Sequence, residues 1–219
     1  GAGDAITTGS DNTFIGDNAG SATTTASNNV AVGSSALLAN TTGAANTAVG
    51  YNSLVANTTG IENTAVGTDS LDSNTTGDYN TAVGGNALYA STTGDSSTGI
   101  GYNALAAQTT GQYNTAVGSA ALATATTADN NTAVGRNALL SNTTGTNNHA
   151  FGANAMDANT TGSHNVAMGR DALGANTDAS ENTALGHNSM AVNTTGQYNV
   201  AVGSSALDAN TTASHNTAV

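Results

Sequence analysis

The chain has 219 residues, with fourteen acidic side chains against two arginines, Arg136 and Arg170, and no lysine, for a net charge of −12. That balance cannot neutralise a phosphate backbone, which excludes nucleic-acid binding. With no cysteine there is neither a disulfide framework nor a thiolate metal site. No apolar run approaches the roughly 18 residues that a membrane span needs, so no membrane insertion is expected.

Self-similarity comes next, because a fixed period sets the fold before any local reading. Blocks equivalent to Asn46-Thr47-Ala48-Val49-Gly50 begin at residues 12, 29, 46, 63, 80, 97, 114, 131, 148, 165, 182, 199 and 216, every interval being 17. Residues 1–11 read as the end of a preceding repeat, since Thr7-Thr8-Gly9 falls where Thr41-Thr42-Gly43 does. The whole of 1–219 is thus one repeat array. No atypical capping repeat is visible, so the segment is expected to be cut from something longer.

Counting the Asn of each block as column one, the repeat can be read by position. Column four, with Val49, Val66 and Val83, and column nine, with Leu54, Leu71 and Leu88, carry the large apolar residues and are predicted to be the core. Columns three, eight and eleven are nearly all Ala, Ser or another small residue, which lets layers approach. The charges fall in other columns, which predicts the solvent face. Apolar columns five apart do not fit a helix, and Gly, Thr and Asn recur in every unit.

Short β-branched runs bounded by Gly and Asn predict strands and turns. One strand is placed over Thr64–Val66 and a second around Ser70–Asp72, with corners at Gly67 and at Asn74-Thr75-Thr76-Gly77. Each 17-residue unit then makes one coil, and successive coils stack about 4.8 Å apart. The expected fold is an all-β parallel β-solenoid or β-roll.

Stacking turns recurrent polar residues into ladders. Column one (Asn46, Asn63, Asn80) is Asn in twelve of thirteen blocks. Column thirteen is Thr throughout (Thr41, Thr58, Thr75). Both are expected to hydrogen-bond from rung to rung and to turn backbone. The Asn-Thr-Thr triplets at Asn40, Asn57, Asn74, Asn142, Asn159, Asn193 and Asn210 are also acceptor sequons, which would decorate one edge in a glycosylating host.

Two large apolar side chains per coil, each worth about 1.5–3 kcal/mol when buried, are few against backbone ordering at about 1–2 kcal/mol per residue. A homo-oligomer that supplies further burial is therefore expected, with a trimer favoured.

The residues Asn29-Val30-Ala31-Val32-Gly33-Ser34-Ser35-Ala36 and Asn199-Val200-Ala201-Val202-Gly203-Ser204-Ser205-Ala206 resemble the repeats of trimeric autotransporter adhesin heads. The full unit, as in 46–62, is similar to tandem repeats of phage tail-fibre-like proteins. The resemblance implies left-handed parallel β-rolls assembled as trimers, on a cell surface or a virion. It departs in coil length, the adhesin-head coil being shorter than 17 residues.

Enzymatic chemistry finds little support. The histidines are His149, His164, His187 and His215, of which only His164 lies one rung from a carboxylate of its own column, Glu181. The Gly-rich blocks lack the lysine of a phosphate loop. No enzyme activity and no cofactor are expected. The sequence predicts the structural shaft of an extracellular fibre, with any cell-surface or glycan ligand met through a tip outside this chain. Two alternatives use the same repeat. One is an ice-binding solenoid using the threonines of columns thirteen and fourteen; the other is a glycan-binding face using Tyr51, Tyr79, Tyr102, Tyr113 and Tyr198.

Overall fold

The structure is a computed structural model that describes residues 1–219. The chain is an all-β parallel β-solenoid without a helix, one short strand and one 17-residue coil to each repeat. It divides into two compact units, Gly1–Gln112 and Tyr113–Val219. The first carries β1 (Thr13–Ile15), β2 (Val30–Val32), β3 (Thr47–Val49), β4 (Thr64–Val66), β5 (Thr81–Val83) and β6 (Thr98–Ile100). The second carries β7 (Thr115–Val117), β8 (Thr132–Val134), β9 (His149–Phe151), β10 (Val166–Met168), β11 (Thr183–Leu185), β12 (Val200–Val202) and β13 (Thr217–Ala218). Inside each unit, strands consecutive in the chain pair in parallel with no slip, as in Thr47↔Thr64, Ala48↔Ala65 and Val49↔Val66.

The strand over Thr64–Val66 lies where the β-branched run places it. The second strand, expected around Ser70–Asp72, does not form, and residues 68–73 are turns. The reason is backbone hand. Asp69 and Leu71 sit at φ of 53° and 50°, and Glu62 takes φ 55° at the corner before the next strand. Columns seven, nine and seventeen repeat this left-handed geometry along the chain, as at Asn86, Leu88 and Tyr79. The turn segment still bonds to its neighbours: Asp69 N donates to Tyr51 O on one side, and Leu71 N to Ala87 O on the other. The chain thus turns sharply while keeping rung-to-rung pairing.

Left-handed φ is costly for side chains branched at Cβ. The sequence obeys this restriction: no Val, Ile or Thr occupies columns seven, nine or seventeen, in a chain where threonine is abundant. Column nine accordingly holds Leu or Met, which branch further out or not at all.

The interior also differs from expectation. Leu54, Leu71 and Leu88 are fully buried, and beside them lie the column-three alanines Ala48, Ala65 and Ala82, equally buried. Val49 and Val66 are only half-buried, and Val83 is 36% exposed. Alternation along a strand explains the correction. If the residue at column three points inward, those at two and four must point outward. The coil is too narrow to turn both of its large apolar columns inside.

One exchange of size confirms how tightly these layers fit. Column nine holds Gly20 instead of Leu, and column three of the same coil holds Phe14 instead of Ala. A Cβ on Gly20 would lie 2.6 Å from the Phe14 ring, so the ring fills the space that leucine takes elsewhere.

Leu71→Met should change unfolding free energy by less than about 1.5 kcal/mol, since Met fits both the volume and the backbone. Leu71→Val should cost about 2–4 kcal/mol, lost volume adding to strain at positive φ. Denaturant titration of the two variants checks the difference, and equal stabilities would refute the backbone explanation.

Candidate functional site

The polar interior is built from two asparagine ladders. In column one, Asn63 N donates to Asn46 Oδ1 at 2.9 Å, and Asn63 Nδ2 donates to Gly77 O of the following turn at 2.8 Å. Asn80 repeats the arrangement, its N donating to Asn63 Oδ1 at 2.9 Å. Each asparagine, backbone and side chain together, therefore serves its own coil and both neighbours. Burial without such partners would cost several kcal/mol per group.

The second ladder runs through column twelve. Asn57 Nδ2 donates to Asn40 Oδ1 and to Gly60 O, both at 3.0 Å, and Asn74 Nδ2 donates to Asn57 Oδ1 at 2.8 Å. Asn142, Asn159 and Asn193 are buried in the same way, each donating to the glycine three residues on. Asn210 makes the equivalent bond to Ala213 O. This placement corrects the sequon reading. At Asn40, Asn57, Asn74, Asn142, Asn159 and Asn193 the nitrogen that a glycan would occupy is buried and donates to backbone inside the coil, so the folded coil has no room for a glycan there; Asn210 is only part-buried. Column fifteen is accordingly restricted to Gly and Ala: a Cβ on Gly60 would lie 2.5 Å from Asn57 Oδ1, whereas Ala179 and Ala213 are accommodated beside Asn176 and Asn210.

A third ladder marks the outer corner. Thr41, Thr58 and Thr75 each donate Oγ1 to the threonine carbonyl one rung on, at 3.0 Å. The column-fourteen threonines Thr42, Thr59 and Thr76 beside them are exposed, on a bend and not on a strand.

The outer surfaces differ in charge. In the first unit, the outward side chains of the strands are Thr13, Val30, Thr47, Thr64, Thr81 and Thr98 in one row, with Ile15, Val32, Val49, Val66, Val83 and Ile100 in the other. No charge interrupts either row. The second unit continues the pattern with Val117, Val134, Phe151, Met168 and Leu185, and His149 is the one histidine on a strand. Ile15 at 60% and Met168 at 49% are the most open large apolar side chains within these strands.

Charged and aromatic side chains stand on the turns and corners. Arg170 Nη1 pairs with Asp171 at 3.1 Å, and its Nη2 meets His187 Nε2. Tyr198 stacks on His215 one rung on, with centroids 5.0 Å apart. Tyr51, Tyr79, Tyr102 and Tyr113 are exposed as well. His164 and Glu181 follow one another on the exposed corner, and no group of three or more His, Cys, Asp or Glu is placed to hold a metal ion.

Two carboxyls are perturbed. Burial pushes Asp72 above the ordinary aspartate value, with the neighbouring Asp69 charge adding to it. Burial does the same to Asp157, with a smaller contribution from Asp171. A carboxyl that holds its proton more tightly when folded stabilises the fold on the acid side, and that stability is lost as pH rises through the raised value.

Two measurements test this picture. Asn63→Ala should cost about 1–3 kcal/mol by orphaning Asn80 N–H and by removing one of the two donors to Gly77 C=O, which keeps Asn74 Nδ2, whereas Thr76→Ala on the open corner should stay within about 0.5 kcal/mol. Melting temperature should fall as pH rises through and just above the usual carboxylate range. Asp72→Asn and Asp157→Asn should raise it at neutral pH and flatten that slope; an unchanged slope would contradict the burial effect.

Neither a model of any known protein family nor any curated protein matches the chain, so what the coil does has to be read from its own geometry.

Proposed function

We propose that this chain is a structural shaft segment of an extracellular fibre, on a cell surface or a virion, that associates with copies of itself through the outer face of its strands. The observation that carries the proposal is the contrast between faces. The chain bears a net charge of −12, which makes like copies repel one another. Its one regular surface free of acidic residues is the strand face, where Val49, Val66 and Val83 stand part-exposed beside Thr47, Thr64 and Thr81.

The energetics point the same way. With the valines outside, a coil buries a single large apolar side chain, fewer than the two expected from the repeat. Covering the valine row would add about 25 cal/mol for each Å² of apolar surface removed from water. A homotrimer fits the resemblance to adhesin heads and tail fibres. The scarcity of basic residues, two arginines and no lysine, leaves trypsin-like proteases almost no cleavage sites, which suits an exposed fibre.

Ice binding is the second reading, favoured by the same face and not by the Thr-Thr corner. Ranks of Thr and Val on a parallel sheet repeat at about 4.8 Å, whereas the corner threonines lie on a bend with half of their hydroxyls committed. Thermal hysteresis of the purified chain separates the readings, since a shaft has none.

Sedimentation equilibrium should show a concentration-dependent oligomer. A Val66→Lys/Val83→Lys variant should shift it to monomer while leaving the far-ultraviolet circular dichroism unchanged. A wild-type chain that stays monomeric at every concentration would sink the association.

A further inference from the structure

The six tyrosines do not all stand in open surroundings. Tyr89, in column ten, borders a depression of about 370 Å³ lined by Asp69, Asn86, Asn103 and Ala106, all within the first unit. The volume falls at the lower end of the range of roughly 300–1,000 Å³ usual for small-molecule sites.

Its construction follows from the repeat. Asp69, Asn86 and Asn103 are column-seven residues of three successive coils, each at left-handed φ, which sets three short polar side chains in a row. Tyr89 stands across the turn from this row, in the middle coil. The coil after it has only Ala106 in Tyr89's column, which leaves room beside the ring.

The polar row has unused capacity. Asn52 Nδ2 donates to Asp69 Oδ1 at 3.1 Å, and Asn86 Nδ2 donates to Asn103 Oδ1 at 3.2 Å. Asp69 Oδ2, Asn86 Oδ1 and Asn103 Nδ2 remain uncommitted, two acceptors and one donor at rung spacing. Tyr89 is 43% exposed and offers a ring face next to them.

Chemistry narrows the ligand. An anion is disfavoured, because Asp69 and the nearby Asp72 are acidic and no cation lines the depression. A divalent cation needs six or more oxygen ligands, and only one carboxylate lines the wall. An apolar ligand would strand the amides unpaired. A neutral saccharide meets every requirement: its C–H face stacks on the ring, while neighbouring hydroxyls donate to the carboxylate and amide oxygens and accept from the amide nitrogen.

We propose that Tyr89 with Asp69, Asn86 and Asn103 forms a binding site for one residue of a neutral glycan on the side of the coil. The site needs no partner chain, so its fate is independent of self-association.

The test is ligand-observed saturation-transfer NMR on the full chain, with the methyl glycosides of glucose, mannose, galactose and N-acetylglucosamine as probes. Transfer to at least one glycoside is expected. It should fall by about tenfold in Tyr89→Ala, through loss of the stacking face. It should fall equally in Ala106→Leu, which fills the depression and keeps the ring. Thr76→Ala, on the open threonine corner, should retain it. Absence of transfer to all four glycosides overturns the site, as does transfer that survives either Tyr89→Ala or Ala106→Leu. Loss of self-association in the Val66→Lys/Val83→Lys variant with transfer intact would support the site and the shaft separately.

Discussion

Every coil of this protein depends on the next for its hydrogen bonds. Strand amides, many turn amides, the column-thirteen threonine hydroxyls and most buried asparagines find partners one rung away. A coil taken alone would leave most of its polar groups unpaired at the cost of burying them. This explains why the interval never departs from 17 residues, since one insertion would put every ladder out of step across that boundary. It also explains a core so poor in large side chains. One leucine and a few alanines per coil leave room for asparagines whose three bonds hold neighbouring coils in register.

The cost of closing a coil in so few residues is a left-handed backbone at three non-glycine positions. Full burial of the column-nine leucine is what sustains such a conformation, and the absence of β-branched residues there is its trace in the sequence. The exchanged pair Phe14 and Gly20 shows the same constraint from the side of volume. The interior accepts either large-with-small arrangement, provided that the sum is kept.

The surface separates into regions with different capacities. The strand face carries rows of Thr and Val free of acidic residues, the threonine corner is occupied with its own ladder, and the turns carry the acids and tyrosines. As proposed, self-association would use the first and a neutral glycan the last. The sequon asparagines show how local motif and fold can disagree: Asn57 and Asn74 read as glycan acceptors in the chain, yet they are interior ladder residues in the coil.

The period, the parallel coil, the strand over Thr64–Val66 and the rows of Asn and Thr were legible in the sequence. Repetition at a fixed interval admits little besides stacking, and β-branched runs favour strands. The missing second strand was legible in principle, since Val, Ile and Thr avoid columns seven, nine and seventeen, but pattern of hydrophobicity alone does not encode the sign of φ. The direction of Val49 and the burial of Asn40 could not be read, because both depend on which way a strand of three residues faces and on how narrow the closed coil is. The same holds for the Tyr89 depression, whose residues lie up to 37 positions apart and meet only because coils stack. The sequence by itself determined the repeat and its stacking, through periodicity and backbone preference; the tertiary structure decided inside from outside, through the width of the coil.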